Sequence, residues 1–239
     1  RENLARPSGG DVDGALAQYV TFPAESFAVL PDYLSYEQGA TLSCAGLTAW
    51  RALAEDGDLT AGETVLALGT GGVSTFGLQF ADLHGARTVV TSSSDEKLAR
   101  AEELGADETI NYEDTPEWDE AVLERTGGDG ADHVVEVGGT GTLERSIGAV
   151  AENGHVHLIG VLTGHGNEVD PGPLLGKGAK VEGVMGVGSA AMFERMLRAM
   201  DATEMEPVVD SVFGFDEVRD AYRYLESADH QGKVVVTVD

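Results

Sequence analysis

The chain has 239 residues, enough for one large or two modest domains, and 42% of them are hydrophobic. Acidic residues number 42 against 15 basic ones, which gives a formal net charge of −27 at pH 7. Such a charge disfavours nucleic acid and anionic membranes as partners. No apolar run is long enough to span a bilayer and no signal-peptide pattern opens these residues, so we expect a cytoplasmic protein.

Acidic residues occur in every segment rather than in one tail. Their mutual repulsion destabilises a compact chain in dilute buffer, and it is screened when the Debye length falls to about 3 Å near 1 M salt. The composition therefore predicts a salt-adapted, halophilic protein; an ordinary acidic protein with a well-hydrated surface is the alternative. Cys44 is the only cysteine, which excludes an intrachain disulfide and fits a reducing cytoplasm.

The first segment carries two short apolar runs, Ala15–Val20 and Ser26–Leu30, broken by glycine and proline. The chain starts with arginine rather than methionine, so we expect a fragment or a processed product. The runs then predict two or three strands of a β-domain that lacks its beginning. Tyr36–Glu55 follows with apolar positions along one side, a pattern that predicts a helix.

A βαβ unit begins where an apolar strand stops at the small residues Gly69, Thr70, Gly71, Gly72, Val73 and Ser74. A helical pattern follows as far as His84-Gly85, and Thr88–Val90 predicts the next strand. Small residues let N–H groups approach a pyrophosphate, and a helix N-terminus favours its charge. This is a variant dinucleotide-binding fingerprint, loosened by Ser74 in place of the third glycine. A turn that binds nothing and a methyltransferase turn are the alternatives.

Strands and helices continue to alternate after this unit. Four further strands are predicted at 109–112, 132–137, 155–160 and 181–187. Four helical patterns accompany them. The first two cover Asp95–Gly105 and 115–126. The third runs through Leu143, Ile147 and Val150 and ends at Asn153-Gly154, and the fourth runs through Phe193 and Met200. This alternation predicts an α/β, doubly wound parallel Rossmann sheet. Residues 207–239 break the alternation and predict a return to the β-domain.

The second strand of the βαβ unit carries the information on cofactor choice. NAD-selective sites place an acidic residue about twenty positions beyond the glycines, where it binds the ribose 2′-hydroxyl. Here the strand end reads Ser92, Ser93, Ser94, and Lys97 lies one helical turn on. Hydroxyls and a lysine suit a 2′-phosphate, so the sequence predicts NADPH. Asp95 adds negative charge and is better explained as a helix cap; a hydrated helix lysine is the alternative explanation of Lys97.

Several stretches, in this order and spacing, resemble the medium-chain dehydrogenase/reductase family, the zinc-independent alcohol dehydrogenase and quinone oxidoreductase group: Leu42–Trp50, Gly69–Ser74, Ser94–Ala99 with Leu104–Ala106, Ile110–Tyr112 and His230–Val235. The resemblance covers nearly the whole chain. It implies a partial GroES-like catalytic domain over 1–46, a dinucleotide-binding Rossmann domain over 47–205, and a return to the catalytic domain over 206–239. Most of the catalytic domain would precede residue 1.

The resemblance also implies roles for single residues. Lys97 and Tyr112 stand where NADPH-using quinone reductases place a lysine and a tyrosine. Thr48 matches a threonine near the nicotinamide, or serves helix packing; Lys233 matches a basic residue that faces the cofactor, or is a surface lysine. Strands four and five end where ligands of such sheets lie, so cofactor walls or ordinary turns are expected at Gly138-Gly139, Ile159, Gly160 and Val161.

Metal binding is not expected in these residues. Cys44 aligns with a catalytic zinc ligand of zinc-dependent relatives, but such zinc needs about three protein ligands and no partner stands at a matching position. A buried helix cysteine is therefore expected. His155 and His157 share one face of the fifth strand, and two histidines alone make a weak metal site away from the cofactor crevice. No residue is assigned a catalytic role.

The sequence thus predicts an NADPH-dependent oxidoreductase that transfers hydride between nicotinamide and a carbonyl, enone or quinone. A zinc-dependent alcohol dehydrogenase and a non-catalytic nucleotide-binding fragment are the alternatives. The predicted edge strand 180–187 carries charges only at its start. Family members commonly pair across this strand, so a homodimer is expected.

Overall fold

A computed structural model describes residues 13–164, 166, 168–185 and 188–238. The strands in these residues are β1 (Thr64–Leu68), β2 (Arg87–Ser92), β3 (Glu108–Asn111), β4 (Ala131–Glu136), β5 (Val150–Leu158), β6 (Lys180–Gly183), β7 (Val209–Phe213) and β8 (Lys233–Val236). The α-helices are α1 (Tyr36–Ala40), α2 (Leu47–Trp50), α3 (Gly72–Leu83), α4 (Asp95–Glu103), α5 (Trp118–Arg125), α6 (Leu143–Ala149), α7 (Pro171–Lys177), α8 (Ala190–Thr203) and α9 (Val218–Ser227). None of the described helices combines the length and the apolar character needed to cross a bilayer.

The chain divides into two compact units, Arg1–Thr48 with Gly186–Asp239, and Ala49–Met185. This division places α8 with the first unit. The bounds predicted from sequence, 1–46, 47–205 and 206–239, stay predictions.

The Ala49–Met185 unit is built on one six-stranded sheet with the order β3-β2-β1-β4-β5-β6. Every neighbouring pair of strands is parallel, and β1 pairs with β2 on one side and with β4 on the other. The order runs outwards from β1 in both directions, as in doubly wound sheets. The predicted α/β doubly wound fold is confirmed.

Helices cover both faces of this sheet because its strands are apolar on both sides. One face packs against α5 and α6 in a buried cluster that includes Leu66, Val134, Val156, Trp118 and Ala149. The other face packs against α3 and α4 through Ala67, Val90, Leu78 and Leu98. Because helices cover both faces, the ends of the strands are the part of the sheet that a ligand can reach.

The connection from α6 to β5 differs from the sequence prediction. The helix ends at Ala149, and β5 already begins at Val150, which pairs with Ala131 of β4. Asn153, expected to end the helix, instead lies inside the strand region with a left-handed φ of 60°. Pairing with β4 takes Val150 out of the helix, an interaction that the helical spacing of Leu143 and Ile147 does not reveal.

The ammonium group of Lys177 closes the carboxyl end of α6. Nζ donates hydrogen bonds to the carbonyl oxygens of Ile147, Gly148 and Val150. Because the last carbonyls of a helix have no partner within the helix and carry partial negative charge, the half-buried ammonium group of Lys177 satisfies them. Burial lowers the pKa of Lys177, and the nearby Asp119 carboxylate opposes that shift.

Strand β6 lies at one edge of the sheet, as predicted, but it is shorter than expected. It pairs with β5 only as far as Gly183, which stands opposite Leu158. Beyond it, Val184 still donates its N–H to the Leu158 carbonyl at 2.9 Å, but Met185 is not in the strand. The last two residues of the predicted strand, 186 and 187, lie outside the described residues.

The strands predicted at Ala15–Val20 and Ser26–Leu30 were wrong. The described residues 13–30 contain a single 3₁₀ turn, Ala24–Ser26, and no strand. Tyr19 is 93% and Val29 91% exposed. A short apolar run becomes a strand only where a second strand satisfies its N–H and C=O groups, and none of the described residues pairs with these runs.

The helix predicted over Tyr36–Glu55 is helical but not uniform. A capping box at Ser35 begins α1, and π-helical segments Leu42–Gly46 and Arg51–Asp56 flank α2. Each π segment adds a residue to the turn and shifts the buried side of the helix.

In the first unit, residues 207–239 contain β7, α9 and β8 near the places predicted for them. β7 and β8 form a parallel pair. The Asp210 carboxylate organises this pair, because it accepts hydrogen bonds from the Tyr224 hydroxyl at 2.8 Å and from the Gln231 N–H at 2.9 Å. Helix α9 and the start of β8 are thereby joined to β7.

Candidate functional site

The turn between β1 and α3 leaves an open space above the helix. Gly69 has a φ of 72°, in the left-handed region that favours glycine. Gly71 precedes α3 with an ordinary φ of −72°, and a Cβ added there would meet no atom within 4 Å. Neither backbone nor packing therefore requires glycine at 71. No side chain caps α3, so the N–H groups of its first turn face this space.

Ser74 is accommodated in place of the third fingerprint glycine. Its side chain is buried, and Oγ donates a hydrogen bond of 2.6 Å to the Leu68 carbonyl, which fastens the helix start to the end of β1. The close approach of helix to sheet occurs at Gly77, where an added Cβ would lie 3.3 Å from Cγ2 of Val135. Sequence reasoning missed Gly77, whose signal is a glycine inside a helical pattern.

The carboxyl ends of the parallel neighbours β2 and β3 lie side by side at the same end of the sheet. Ser92 is buried; its carbonyl accepts a 3.0 Å hydrogen bond from the Tyr112 N–H, and its Oγ accepts one of 3.4 Å from the Ser94 N–H. Ser93 and the Tyr112 side chain are exposed. The structure thus brings Ser92, Ser93, Ser94 and Tyr112 to one end of the sheet.

The cap of α4 is Ser94 and not Asp95, which corrects the sequence prediction. Ser94 Oγ accepts the Lys97 N–H at 3.4 Å. Asp95 is the first residue of the helix, where a carboxylate is favoured by the helix dipole, and it accepts a hydrogen bond of 2.7 Å from the Asn111 side-chain amide. The half-buried Lys97 lies one turn into the helix.

A fully buried carboxylate at the end of β4 shapes the next loop. Oε1 of Glu136 accepts hydrogen bonds from the N–H groups of Gly138 and Gly139, at 2.7 and 2.9 Å, and from the Thr142 hydroxyl at 2.6 Å. The Ser146 hydroxyl donates to Oε2. These donors offset the cost of burying the charge. The two glycine N–H groups are consequently turned inwards and are not available to a ligand.

Sequence reasoning missed Glu136. Its signal is an acidic residue between Val135 and Val137, two positions before the pair Gly138-Gly139. A charged group in that position has to find buried donors, and the backbone of the following turn supplies them.

The loop after β5 is joined to the loop after β4. Ile159 and Gly160 donate their N–H groups to the Glu136 carbonyl at 2.8 and 3.2 Å. Oγ1 of Thr163 donates to the Gly138 carbonyl at 2.9 Å and accepts from the Gly141 N–H at 2.8 Å. Val161 at the tip of this loop is 53% exposed. The two loops therefore form one wall with an apolar tip.

These features meet at the carboxyl ends of the parallel strands. β1 and β4 are neighbours, and their connections leave in opposite directions along the sheet, which opens a crevice where ligands of doubly wound sheets bind. The predicted residues at the ends of β1 to β5 lie along this edge: Gly69 to Ser74, Ser92 to Ser94, Lys97, Tyr112, Gly138 and Ile159 to Val161. Thr48, buried in α2, and Lys233, on β8, belong to the first unit and stay sequence predictions.

A second polar cluster lies away from this edge, on the face of the sheet that α3 covers. His133 of β4 stands opposite His155 of β5, and Val135 stands opposite His157. The pair of histidines predicted on β5 is therefore a group of three, and sequence reasoning missed the third because His133 is 22 residues before His155. Burial lowers the pKa of His157 to about 2, with the charges of His155 and His133 adding to the shift.

Comparison with known proteins identifies the family. A family model described as zinc-binding dehydrogenase matches residues 72–202. A zinc-type alcohol dehydrogenase-like protein of Schizosaccharomyces pombe is 45% identical over 237 residues, which are 97% of this chain and 68% of that protein. The chain belongs to the medium-chain dehydrogenase/reductase family. The predicted resemblance is confirmed, and the family consists of NAD(P)-dependent oxidoreductases.

Solved structures agree with this family assignment. A Sinorhizobium meliloti 1021 protein assigned as an alcohol dehydrogenase matches with a TM-score of 0.93 and 43% identity, over 98% of this chain and 67% of that one. The quinone oxidoreductase from Thermus thermophilus, solved also as its complex with NADPH, matches with a TM-score of 0.82 and 33% identity, over 96% and 75% of the two chains. The chain thus spans about two thirds to three quarters of these relatives.

Cys44 lies outside residues 72–202, which the family model matches. Cys44 lies in the π-helical segment Leu42–Gly46, and its side chain is exposed, which corrects the expectation of a buried cysteine. It sits on the outward side of that segment, whereas Leu42, Ala45 and Gly46 are buried. Within the described ranges, no two histidine, cysteine, aspartate or glutamate side chains group with it as ligands. We derive no zinc chemistry at Cys44.

The first prediction concerns the loop that Glu136 holds. Glu136→Gln keeps the shape but removes the charge and replaces one acceptor oxygen by a donor, so the free energy of unfolding should fall by about 2 kcal/mol. Denaturation in urea measures the change. Glu144→Gln, an exposed carboxylate on α6, is the matched control and should stay within about 0.5 kcal/mol of the parent. Equal losses in the two variants would contradict this role of Glu136.

Proposed function

We propose that the protein is an NADPH-dependent oxidoreductase that transfers hydride between the nicotinamide and a carbonyl, enone or quinone. The observation that carries this proposal is the open first turn of α3 at the crevice between β1 and β4. Neither the backbone conformation nor the packing requires glycine at position 71, and a pyrophosphate would fill the space that the absent side chain leaves. The NADPH complex of the Thermus relative supports the choice of ligand.

The preference for NADPH over NADH rests on the end of β2. Ser92, Ser93 and Ser94 place hydroxyl groups there and no carboxylate. The nearest acid, Asp95, is held by the Asn111 amide. Lys97 supplies a positive charge one turn into α4. A 2′-phosphate would find hydrogen-bond donors and an opposite charge at this edge, whereas a ribose 2′-hydroxyl would lack its usual carboxylate partner.

In this proposal the bound nicotinamide supplies the hydride chemistry, and the chain binds and orients the cofactor. The first turn of α3 would hold the pyrophosphate through backbone N–H groups. Glu136 would keep the wall formed by residues 138–142 and 159–163 in place, and the apolar side chain of Val161 would help to exclude water. Oriented donors and a dry site are the contributions that proteins make to cofactor-based reactions.

A zinc-dependent alcohol dehydrogenase is the second candidate function, favoured by the match to the zinc-binding dehydrogenase family model. The exposed Cys44 would then be one ligand, and the other ligands would come from outside the described residues. Metal analysis of the intact protein and of Cys44→Ser separates this candidate from the first.

Lys97→Ala tests the cofactor proposal. Loss of a charge-assisted contact to the 2′-phosphate should raise the dissociation constant of NADPH about 10- to 100-fold and leave that of NADH within about twofold. Fluorescence titration with both nucleotides measures the two constants. Arg100→Ala is the control. It also removes one positive charge from α4, but farther from the amino end of the helix, and should change both dissociation constants little. An equal effect of Lys97→Ala on NADPH and NADH would remove Lys97 from the phosphate site.

We further propose a cytoplasmic, salt-adapted homodimer that pairs through the edge strand β6. An edge strand has unpaired N–H and C=O groups, and a two-fold contact needs only one self-complementary patch. Two chains of −27 repel each other at low salt, and screening removes most of that repulsion.

Light scattering of the intact protein tests assembly and salt adaptation together. In multimolar potassium chloride the mass should be that of two chains, and dilution to low salt should shift the equilibrium towards monomer. A monomer in high salt would contradict the pairing, and a dimer that strengthens as salt is removed would contradict the role of charge.

A further inference from the structure

Three buried histidines converge on one face of the central sheet. His133, His155 and His157 are each at most 5% exposed, and a ring nitrogen of each lies within 4.8 Å of one from the other two. The register of β4 and β5 fixes this arrangement, because it sets His133 opposite His155 and Val135 opposite His157. Side chains at i and i+2 share a face, so all three rings point to the side of α3.

The ring nitrogens are arranged as ligands would be. Nδ1 of His133 lies 3.1 Å from Nε2 of His157. Two nitrogens bound tetrahedrally to one zinc ion at 2.0–2.1 Å are separated by about 3.3 Å, close to this distance. Nε2 of His155 is buried without a hydrogen-bond partner in the described residues. An unsatisfied ring nitrogen on a buried side chain needs an explanation, and a bound ion gives one.

A carboxylate stands behind His133. Oε2 of Glu63 lies within hydrogen-bond distance of Nε2 of His133, at 3.3 Å. Metal-binding histidines commonly hold a carboxylate with the nitrogen that does not bind the metal, which fixes the tautomer and the ring orientation. With Nε2 of His133 turned to Glu63, Nδ1 presents its lone pair to the cluster.

We propose that His133, His155 and His157 bind one divalent transition-metal ion, of the kind represented by Zn²⁺. Imidazole ligands suit zinc, copper and nickel rather than magnesium or calcium, which prefer oxygen. Oε2 of the half-exposed Glu182 lies 3.1 Å from the unpartnered Nε2 of His155, so this carboxylate is placed to supply a fourth ligand. The ion would connect β4 to β5 and, through Glu182, to β6.

This site is separate from the cofactor crevice. His133 is level with Val65, near the amino end of β1, whereas the crevice lies at the carboxyl ends. Cys44 is not a member of this group. The role that follows from the position of the site is structural: the ion would hold together the half of the sheet that ends in the edge strand.

The test uses the intact protein carrying Cys44→Ser, treated with a chelator and titrated with Zn²⁺ by calorimetry. In this background the Cys44 thiol cannot bind the ion, and one ion per three-histidine cluster is expected. Loss of a carboxylate that holds a ligating histidine weakens metal binding about 10- to 100-fold, so Glu63→Gln should weaken Zn²⁺ by that factor. His133→Gln and His155→Gln, which remove ligands, should weaken it further.

Two controls make the result specific. Glu124→Gln, on α5 at the other face of the sheet, makes the same change in charge as Glu63→Gln and should leave Zn²⁺ affinity unchanged. Co²⁺ in the Cys44→Ser protein should give the visible d–d bands of a nitrogen and oxygen site, a readout that needs no histidine variant to fold. No bound ion in the folded Cys44→Ser protein, or an affinity unchanged by both histidine substitutions, would overturn the proposal.

Discussion

The pairing of β1 with β2 on one side and β4 on the other is the constraint on which the rest of the structure depends. All five strand pairs of the sheet are parallel, so the carboxyl ends of β1 to β5 lie along one edge. Segments far apart in sequence, such as Gly69 to Ser74 and Gly138 to Thr142, become neighbours only through this pairing. The same register sets His133 opposite His155 on the α3 face. One sheet thus creates both the crevice and the histidine cluster.

Backbone N–H groups at the crevice fall into two classes. Those of Gly138 and Gly139 are taken by the buried Glu136 carboxylate and make the loop rigid. Those of the first turn of α3 have no side-chain cap and face open space. The protein therefore uses one set of donors to build a wall and leaves another set for an anionic ligand, an arrangement that suits a pyrophosphate.

The sequence predicts the fold, and it places the glycine turn and the three serines at strand ends, because both follow from local patterns; their role in binding a cofactor stays a prediction. Alternating strands and helices give the doubly wound sheet, and the glycine turn marks the end of β1. The features that the sequence did not predict depend on the three-dimensional structure around each residue. Cys44 faces outwards because a π-helical segment shifts its position, Val150 leaves the helix to pair with Ala131, and Ala15–Val20 forms no strand because none of the described residues pairs with it. Glu136 and His133 likewise show their roles only once β4 has neighbours.

Binding of the nucleotide at the first turn of α3 can be measured by amide hydrogen exchange of the intact protein with and without saturating NADPH. We expect slower exchange in Gly69–Thr75 when NADPH is bound, with little change in α7 (Pro171–Lys177) as an internal reference. Unchanged exchange in Gly69–Thr75 at full occupancy would contradict binding at this turn.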